Sequence, residues 1–307
     1  MAILITYDDG NRLEDVLNYV IHLAPMETPL FSGLSKTKAY NTLHQWPEYA
    51  GNTTYADNAT VEGASFASAT QTVPARLVNV TQIFEKVYNV SSTEQWVKGA
   101  GVDNMLTFQQ KEMLKEIGTD IEHAILRGSR ATGNASTARR LAGLLNYITT
   151  NATAVASGTK LTESFFNGML EMVYQDGPAP VGTIDEVYVG ARLKRVISAY
   201  TAGQTKNLQA NDKRLVFAND VVESDFGMLK LFMHRDMPST TNSDATALFL
   251  ASKRNAIAIG EPVHILSKEE VAQTTHGTKG VVRGELTLEV KAEQHQAVAS
   301  GLDTAFN

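Results

Sequence analysis

The chain has 307 residues, a formal net charge of −6, 43% hydrophobic and 20% charged residues, and no cysteine. That length holds one large domain or two ordinary ones with a substantial core. The acidic balance argues against nucleic-acid binding as the main role, and the missing cysteines exclude disulfides, thiolate zinc sites and a cysteine nucleophile.

The opening stretch "MAILITYDDGNRLEDV" has no basic region before a short apolar run, so it does not read as a secretory signal. No apolar run approaches the ~20 residues of a membrane helix, and no membrane partner is expected. The sequons at Asn52, Asn58, Asn79, Asn89, Asn134 and Asn151 are then expected to be silent.

Residues 1–45 read as an extended arm with one short helix. In "NRLEDVLNYVIHL", Leu13, Val16, Leu17, Val20 and Ile21 share a face behind an Asn11 cap, and Pro25 and Pro29 end the pattern. Residues 46–90 are stranger. "VEGASFASAT" has almost nothing to bury, whereas "PARLVNVTQIFEKVYNV" alternates like one long strand. Together they read as an excursion, out along a polar limb and back along a strand. Fixing a backbone costs ~1–2 kcal/mol per residue, so roughly 40 residues with such small side chains need a neighbouring molecule to order them, or stay mobile.

The strongest helix signal follows. Ser91 and Glu94 have capping-box spacing, Asp103 is a second start, and Gly128 is a natural C′ residue. Leu106, Gln110, Leu114, Ile117, Ile121, Ala124 and Ile125 form the expected stripe. About 25 residues make a rod of ~40 Å. From residue 140 to 255 the chain reads as a mixed α+β body. "TESFFNGMLEMVYQDGP" is a helix with Phe165, Met169 and Val173 on one face. "DEVYVG" is a strand leading into the helix "ARLKRVISAY", and "KRLVFANDVVESDFGMLKLFMHRDMP" is strand, turn, strand. "TALFLAS", "AIAIGEPVHIL" and "GELTLEVKAE" give the last β runs.

Catalytic signatures are missing. "GAGVDN" lacks the third glycine and preceding strand of a dinucleotide loop, and there is no phosphate-binding loop or nucleophile elbow. The seven histidines are scattered without metal-ligand spacing. His123 beside Glu122 is the most tempting base but reads as a solvated histidine, and "HRDMP" at His234 has nothing else of a kinase around it. Asp8-Asp9, Asp185-Glu186 and Glu269-Glu270 read as solvated faces before they read as cation sites. Trp46 and Trp96 read as packing anchors at a core or an interface. "RGSRATGNASTARR" carries Arg127, Arg130, Arg139 and Arg140. It reads as a salt-bridging contact with a neighbour's acidic arm ahead of a nucleic-acid contact or a flexible loop.

Taken in order, arm, polar hairpin, long helix, mixed body and β-rich return, the chain resembles the Hong Kong 97-type major capsid proteins of tailed double-stranded DNA phages. The resemblance rests on "LAPMETPLFSGL", "VEG…ARLVNVTQIFEKVYNVSSTEQWV", "LKEIGTDIEHAILRG" and "RRLAGLLNYI". It implies an α+β capsid fold with an N-terminal arm (1–45), an E-loop lying over the adjacent subunit (46–90), a P-domain spine helix (91–139), an A-domain (140–255) and C-terminal P-domain strands with a return (256–307). It also implies a non-catalytic shell protein without cofactor or metal. Its partners would be itself, in hexamers and pentamers, a portal, separate scaffold or decoration proteins, and enclosed DNA. Assembly would occur in the host cytoplasm, and the mature location would be the virion. Candidate intersubunit contacts are Trp46, Arg76, Phe84, Arg127, Arg130, Arg139 and Arg140. Some relatives cross-link through an E-loop lysine. Arg76 is the only Lys or Arg between Tyr40 and Phe84, so no such isopeptide bond is expected. The arm begins almost at Met1, so a scaffold is expected to be a separate protein. An encapsulin-like compartment is the alternative within this fold, and an unrecognised hydrolase is the remote one.

Overall fold

The computed structural model describes residues 27–49, 59–65, 73–97, 102, 104–156, 158–175, 183–204, 221–238, 245–260, 267–270 and 276–303. The helix expected over residues 11–23 and the Asp8-Asp9 pair lie outside these. In chain order the elements are α1 (Pro29–Gly33), β1 (Ser35–Ala39), β2 (Leu43–Glu48), β3 (Ala75–Val80), β4 (Gln82–Ser91), α2 (Ser92–Trp96) and α3 (Met105–Arg127). There follow α4 (Leu144–Tyr147), β5 (Ala152–Ala154), α5 (Glu163–Gln175), β6 (Glu186–Val189), α6 (Ala191–Gln204), β7 (Val221–Ser224) and β8 (Gly227–Met233). The chain closes with β9 (Ala245–Leu250), β10 (Asn255–Gly260), β11 (Ser267–Glu270), β12 (Gly277–Val290) and β13 (Ala297–Leu302).

The first sheet is organised by β12. Along one side it pairs antiparallel with β4, from Gly277↔Ser91 to Leu286↔Gln82. Along the other it pairs with β11 and then β10, and β1 adds to β10 in parallel. Alternation along β12 buries Val282, Leu286, Leu288 and Val290. Its glycines make room for rings on β4. Gly280 lies opposite Tyr88, and a Cβ there would fall 2.1 Å from the Tyr88 hydroxyl oxygen.

Helix α3 lies on this sheet. Asn104 caps it by accepting from the Thr107 amide at 3.1 Å, and the buried positions Ile117, Gly118, Ile121, Glu122, Ala124 and Ile125 recur at helical spacing in its second half. The single helix expected from Ser91 is two. Ser91 does cap a helix, accepting from the Glu94 amide, but this helix stops at Trp96, where the backbone turns extended at Val97. Leu114, expected on the stripe, is 39% exposed. At the far end Gly128 is required by close approach, its φ being −54°. A Cβ there would sit 2.5 Å from the Ala124 carbonyl oxygen, and one on Gly143 would sit 2.5 Å from the Gly128 nitrogen. The two glycines touch, and the Gly143 amide donates to Gly128 O at 2.8 Å.

The second sheet runs β5-β13-β9-β6-β8-β7. Both of its faces are covered, which explains why β9 is buried at all six positions, Thr246 included. One face (Val187, Val189, Leu231, Ala247, Phe249, Ala299) packs with α5 and α6 residues such as Phe166, Met169, Val173 and Leu193. The other (Tyr188, Leu248, Leu250, Val298) joins the core under α3. In α5 the buried face carries Phe166 and Leu170, while Phe165 is only partly buried. The chain leaves the second sheet after β9, builds β10 and β12 in the first, and returns to place β13 between β5 and β9 in the second.

The sequence pattern over residues 75–91 suggests one strand. The structure divides it at Thr81. Strand β3 pairs with β2 in a separate two-stranded limb, from Leu43↔Val80 to Glu48↔Ala75, while β4 belongs to the first sheet. Thr81 is buried, its amide donates to Thr42 O, and its hydroxyl donates to Glu285 at 2.6 Å. Those long-range bonds end the strand without a Gly or Pro.

Candidate functional site

The limb is held by its root. Trp46 is buried, donates from Nε1 to Val290 O at 2.9 Å and stacks on Tyr147. From the other strand, the fully buried Asn79 donates through Nδ2 to Ala142 O and Leu288 O, and accepts through Oδ1 from the Val80 and Ala142 amides. His44 Nε2 meets Glu289 at 3.2 Å. That bond comes first among the causes that hold the Glu289 carboxyl below its usual range; Lys291 and Thr37 add to it against the cost of burial. Farther out, three apolar or aromatic residues among those described are exposed. Tyr49 is 54% exposed, and Val61 and Val73 are each 81% exposed.

A cavity of about 420 Å³ lies between limb and body, walled by Trp46, Glu48, Tyr49, Arg254, Lys291 and His295. Burial, and secondarily the Glu293 charge, push the Glu48 carboxyl up; burial and then Arg254 push the His295 imidazole down. Both shifts favour neutral groups. The described lining holds no Ser, Thr or Cys to serve as a nucleophile. Among the described residues no group of three or more His, Asp or Glu side chains is set to hold a metal ion.

Beneath α3 lies a buried charged knot. Glu122 accepts from the Leu30 amide at 2.9 Å and the Phe31 amide at 2.7 Å, and His234 Nε2 lies 2.8 Å from its Oε1. The Asp236 amide donates to His234 Nδ1, which leaves the proton on Nε2 to be given to Glu122. One carboxylate thus joins the start of α1, helix α3 and the end of β8. Sequence reading missed it, although Glu122 falls on the stripe of Gly118, Ile121 and Ile125. A charge on a buried stripe is the signal that points to such a knot. His123, its exposed neighbour, lies 3.8 Å from Asp236.

The candidate contact residues separate into two groups. Trp46 and Phe84 are 6% exposed and belong to the core of their own subunit, and Arg139 is engaged with Glu285 at 2.9 Å, so these three are occupied within the chain. Arg76, Arg127, Arg130 and Arg140 are exposed, as is Trp96 at 76%. Arg127 is the last residue of α3 and also donates to the Asp236 carbonyl at 3.5 Å, while Arg130 and Arg140 lie on a finger that follows it. Its strands join by paired bonds between Ala131 and Arg140. Its tip is tied by Asn134, whose Oδ1 accepts from the Ser136 and Thr137 amides, and by Gly133 at φ +73°.

A long helix laid across a sheet, a protruding two-stranded limb and a second sheet sandwiched between helices and that core define the Hong Kong 97-type capsid fold. The capsid of cyanophage A-1(L) is similar over 97% of this chain and 99% of that one, with a TM-score of 0.72 at 10% identity. The holo-SrpI encapsulin complex of Synechococcus elongatus PCC 7942 is similar over 100% and 98%, with a TM-score of 0.62 at 11% identity. By sequence, residues 4–303 match the family described as SU10 major capsid protein, and the chain belongs to that family. A stretch of 131 residues is 29% identical to the major capsid protein of Escherichia phage Phieco32. It covers 43% of this chain and 37% of that protein's length.

Proposed function

We propose that this chain is the repeating coat subunit of a tailed-phage head, assembling as hexamers and pentamers into an icosahedral shell around double-stranded DNA. The observation that carries this reading is the limb. Its root is locked to its own body by Trp46, Asn79 and Thr81, while the apolar Val61 and Val73 beyond it are exposed. A surface of this kind is completed by another copy.

In this reading the region before about residue 45 is the arm, with β1 fastening it to the first sheet. The limb, bounded by Leu43 and Val80, is the E-loop. Helix α3 with the first sheet is the P-domain, and the second sheet with α5 and α6 is the A-domain. Many weak contacts per subunit add by multivalency. The role is structural and non-catalytic, and the absence of lysine from the limb argues for a shell without isopeptide cross-links. A portal, separate scaffold or decoration proteins and packaged DNA are its expected partners, and the virion its location.

Electron microscopy and sedimentation of the purified protein, alone and with co-expressed phage head proteins, test this. Closed shells are expected. A protein that remains a monomer under all these conditions, with its limb protected from protease, would sink the reading. Nuclease-sensitive contents support a phage head, whereas an enclosed protein cargo would move the assignment to an encapsulin-like compartment.

A further inference from the structure

The cavity between limb and body is walled by two parts of the chain that differ in chemistry. The limb brings Trp46 and Tyr49, and the body brings Arg254, Lys291 and His295. At about 420 Å³ it has the size of a small-ligand site, for which roughly 300–1,000 Å³ is usual. Trp46 is already stacked on Tyr147, so the half-exposed Tyr49 offers the aromatic surface.

The body side is poised for negative charge. Arg254 is exposed, stands close enough to His295 to push its imidazole down, and has no carboxylate partner among the described residues. Lys291 is exposed as well. It lies 3.6 Å from Glu289, whose carboxylate is already held by His44 and Thr37. Glu48, the other carboxyl in the wall, is pushed up by burial and then by Glu293, so it gives up its charge more readily than a solvated glutamate.

His295 supplies an independent sign. Its Nδ1 is buried without a hydrogen-bond partner among the described residues, a state shared there only by Asn151 Oδ1. Buried polar atoms are nearly always paired, and a polar group bound beside His295 is the partner at hand.

We infer that this cavity is a binding site for a small aromatic anion, with the ring against Tyr49 and the anionic group between Arg254 and Lys291. Limb and body each supply half of the site, so the ligand also fastens the limb root. The inference stands apart from the shell reading and does not require it.

Phenyl phosphate is the probe, with inorganic phosphate and benzyl alcohol as the anion and the ring alone. Calorimetry on the unassembled full chain measures affinity, and the nitrogen NMR signal of His295 Nδ1 reports the site. Phenyl phosphate is expected to bind with a dissociation constant of about 1 mM, the range of a fragment of its size, and more tightly than either part alone. R254Q and K291Q should each weaken it about tenfold, as for a lost charge-assisted hydrogen bond. Y49A should erase its advantage over inorganic phosphate. All three substituted side chains are exposed, and circular dichroism checks that the subunits remain folded. With the probe at about ten times its dissociation constant, β2 amides that exchange through opening of the limb should exchange about tenfold more slowly. The inference is overturned by no binding at about 10 mM, by affinity unchanged in R254Q and K291Q, or by inorganic phosphate or benzyl alcohol binding as tightly as phenyl phosphate. Binding that leaves the His295 signal and β2 exchange unmoved overturns the placement between limb and body.

Discussion

Asn79 and Ala142 form a closed pair: the Asn79 side chain donates to Ala142 O at 3.1 Å and accepts from the Ala142 amide at 2.9 Å. One amide side chain thereby imitates a strand partner for the backbone at Ala142, just past the Ala131–Arg140 pair, and it holds the Leu288 carbonyl on β12 at the same time. Asn79→Ala would leave those groups buried and unpaired. The expected cost is about 2–4 kcal/mol, since each orphaned buried group forfeits about 1–3 kcal/mol. Asn79→Asp should be at least as damaging near neutral pH, because a carboxylate cannot donate to either carbonyl. Urea denaturation of unassembled subunits measures both, and a loss below about 0.5 kcal/mol would contradict the closed-pair account.

Glu122 gathers three donors in a place where it is 1% exposed. Removing a buried charged partner typically costs about 3–5 kcal/mol. Glu122→Ala should reach that range and, more specifically, free α1 from α3. Hydrogen exchange reads this directly, with Leu30 and Phe31 amides expected to lose protection ahead of the first sheet. Unchanged exchange at those two amides would contradict the clasp.

The limb root should loosen in acid. Glu289 has its folded pKa depressed, so its contribution to stability is fully present above the usual carboxylate range. That contribution is lost as pH falls through the lower folded value. His44→Ala removes the leading cause of the depression. The variant should melt earlier than wild type near neutral pH, and the gap should narrow as pH falls below the usual carboxylate range and Glu289 protonates in both. A gap that widens on acidification would show the opposite linkage.

Gly128 and Gly143 each exclude a Cβ by contact with backbone, which cannot swing aside. Gly128→Ala and Gly143→Ala should each cost about 1–3 kcal/mol from overpacking. The double variant should cost less than the sum, because the first substitution already separates the segments. Thermal melts of both singles and the double decide this.

Much of the second sheet was legible because its rules are local. The run "DEVYVG" followed by "ARLKRVISAY" became β6 and α6, and the turn at "SDFG" joins β7 to β8. What could not be read depends on distant partners. Strand β1, "SKTKA", carries no strand signal and forms as the parallel neighbour of β10. The break at Thr81 sits in an alternating run and is set by Thr42 and Glu285. Strand β13, "AVASGL", is mostly small residues and holds its place between β5 and β9. At the candidate site, arginine count alone marked the finger. That Arg139 is engaged and its neighbour Arg140 exposed depended on Glu285, 146 positions from Arg139 along the chain.

The order in which the ribosome delivers these strands has a cost of its own. Strand β4 is complete by Ser91, yet its partner β12 begins at Gly277, and β13, which joins β5 to β9 in the other sheet, follows at Ala297. At about 5–20 residues per second, nearly two hundred residues of synthesis separate them, which is roughly 10–40 s. Throughout that interval the nascent polypeptide must carry a strand with one apolar face and no mate. Neither sheet can close before translation is almost finished, so chaperone demand should fall on the growing chain well before any shell exists.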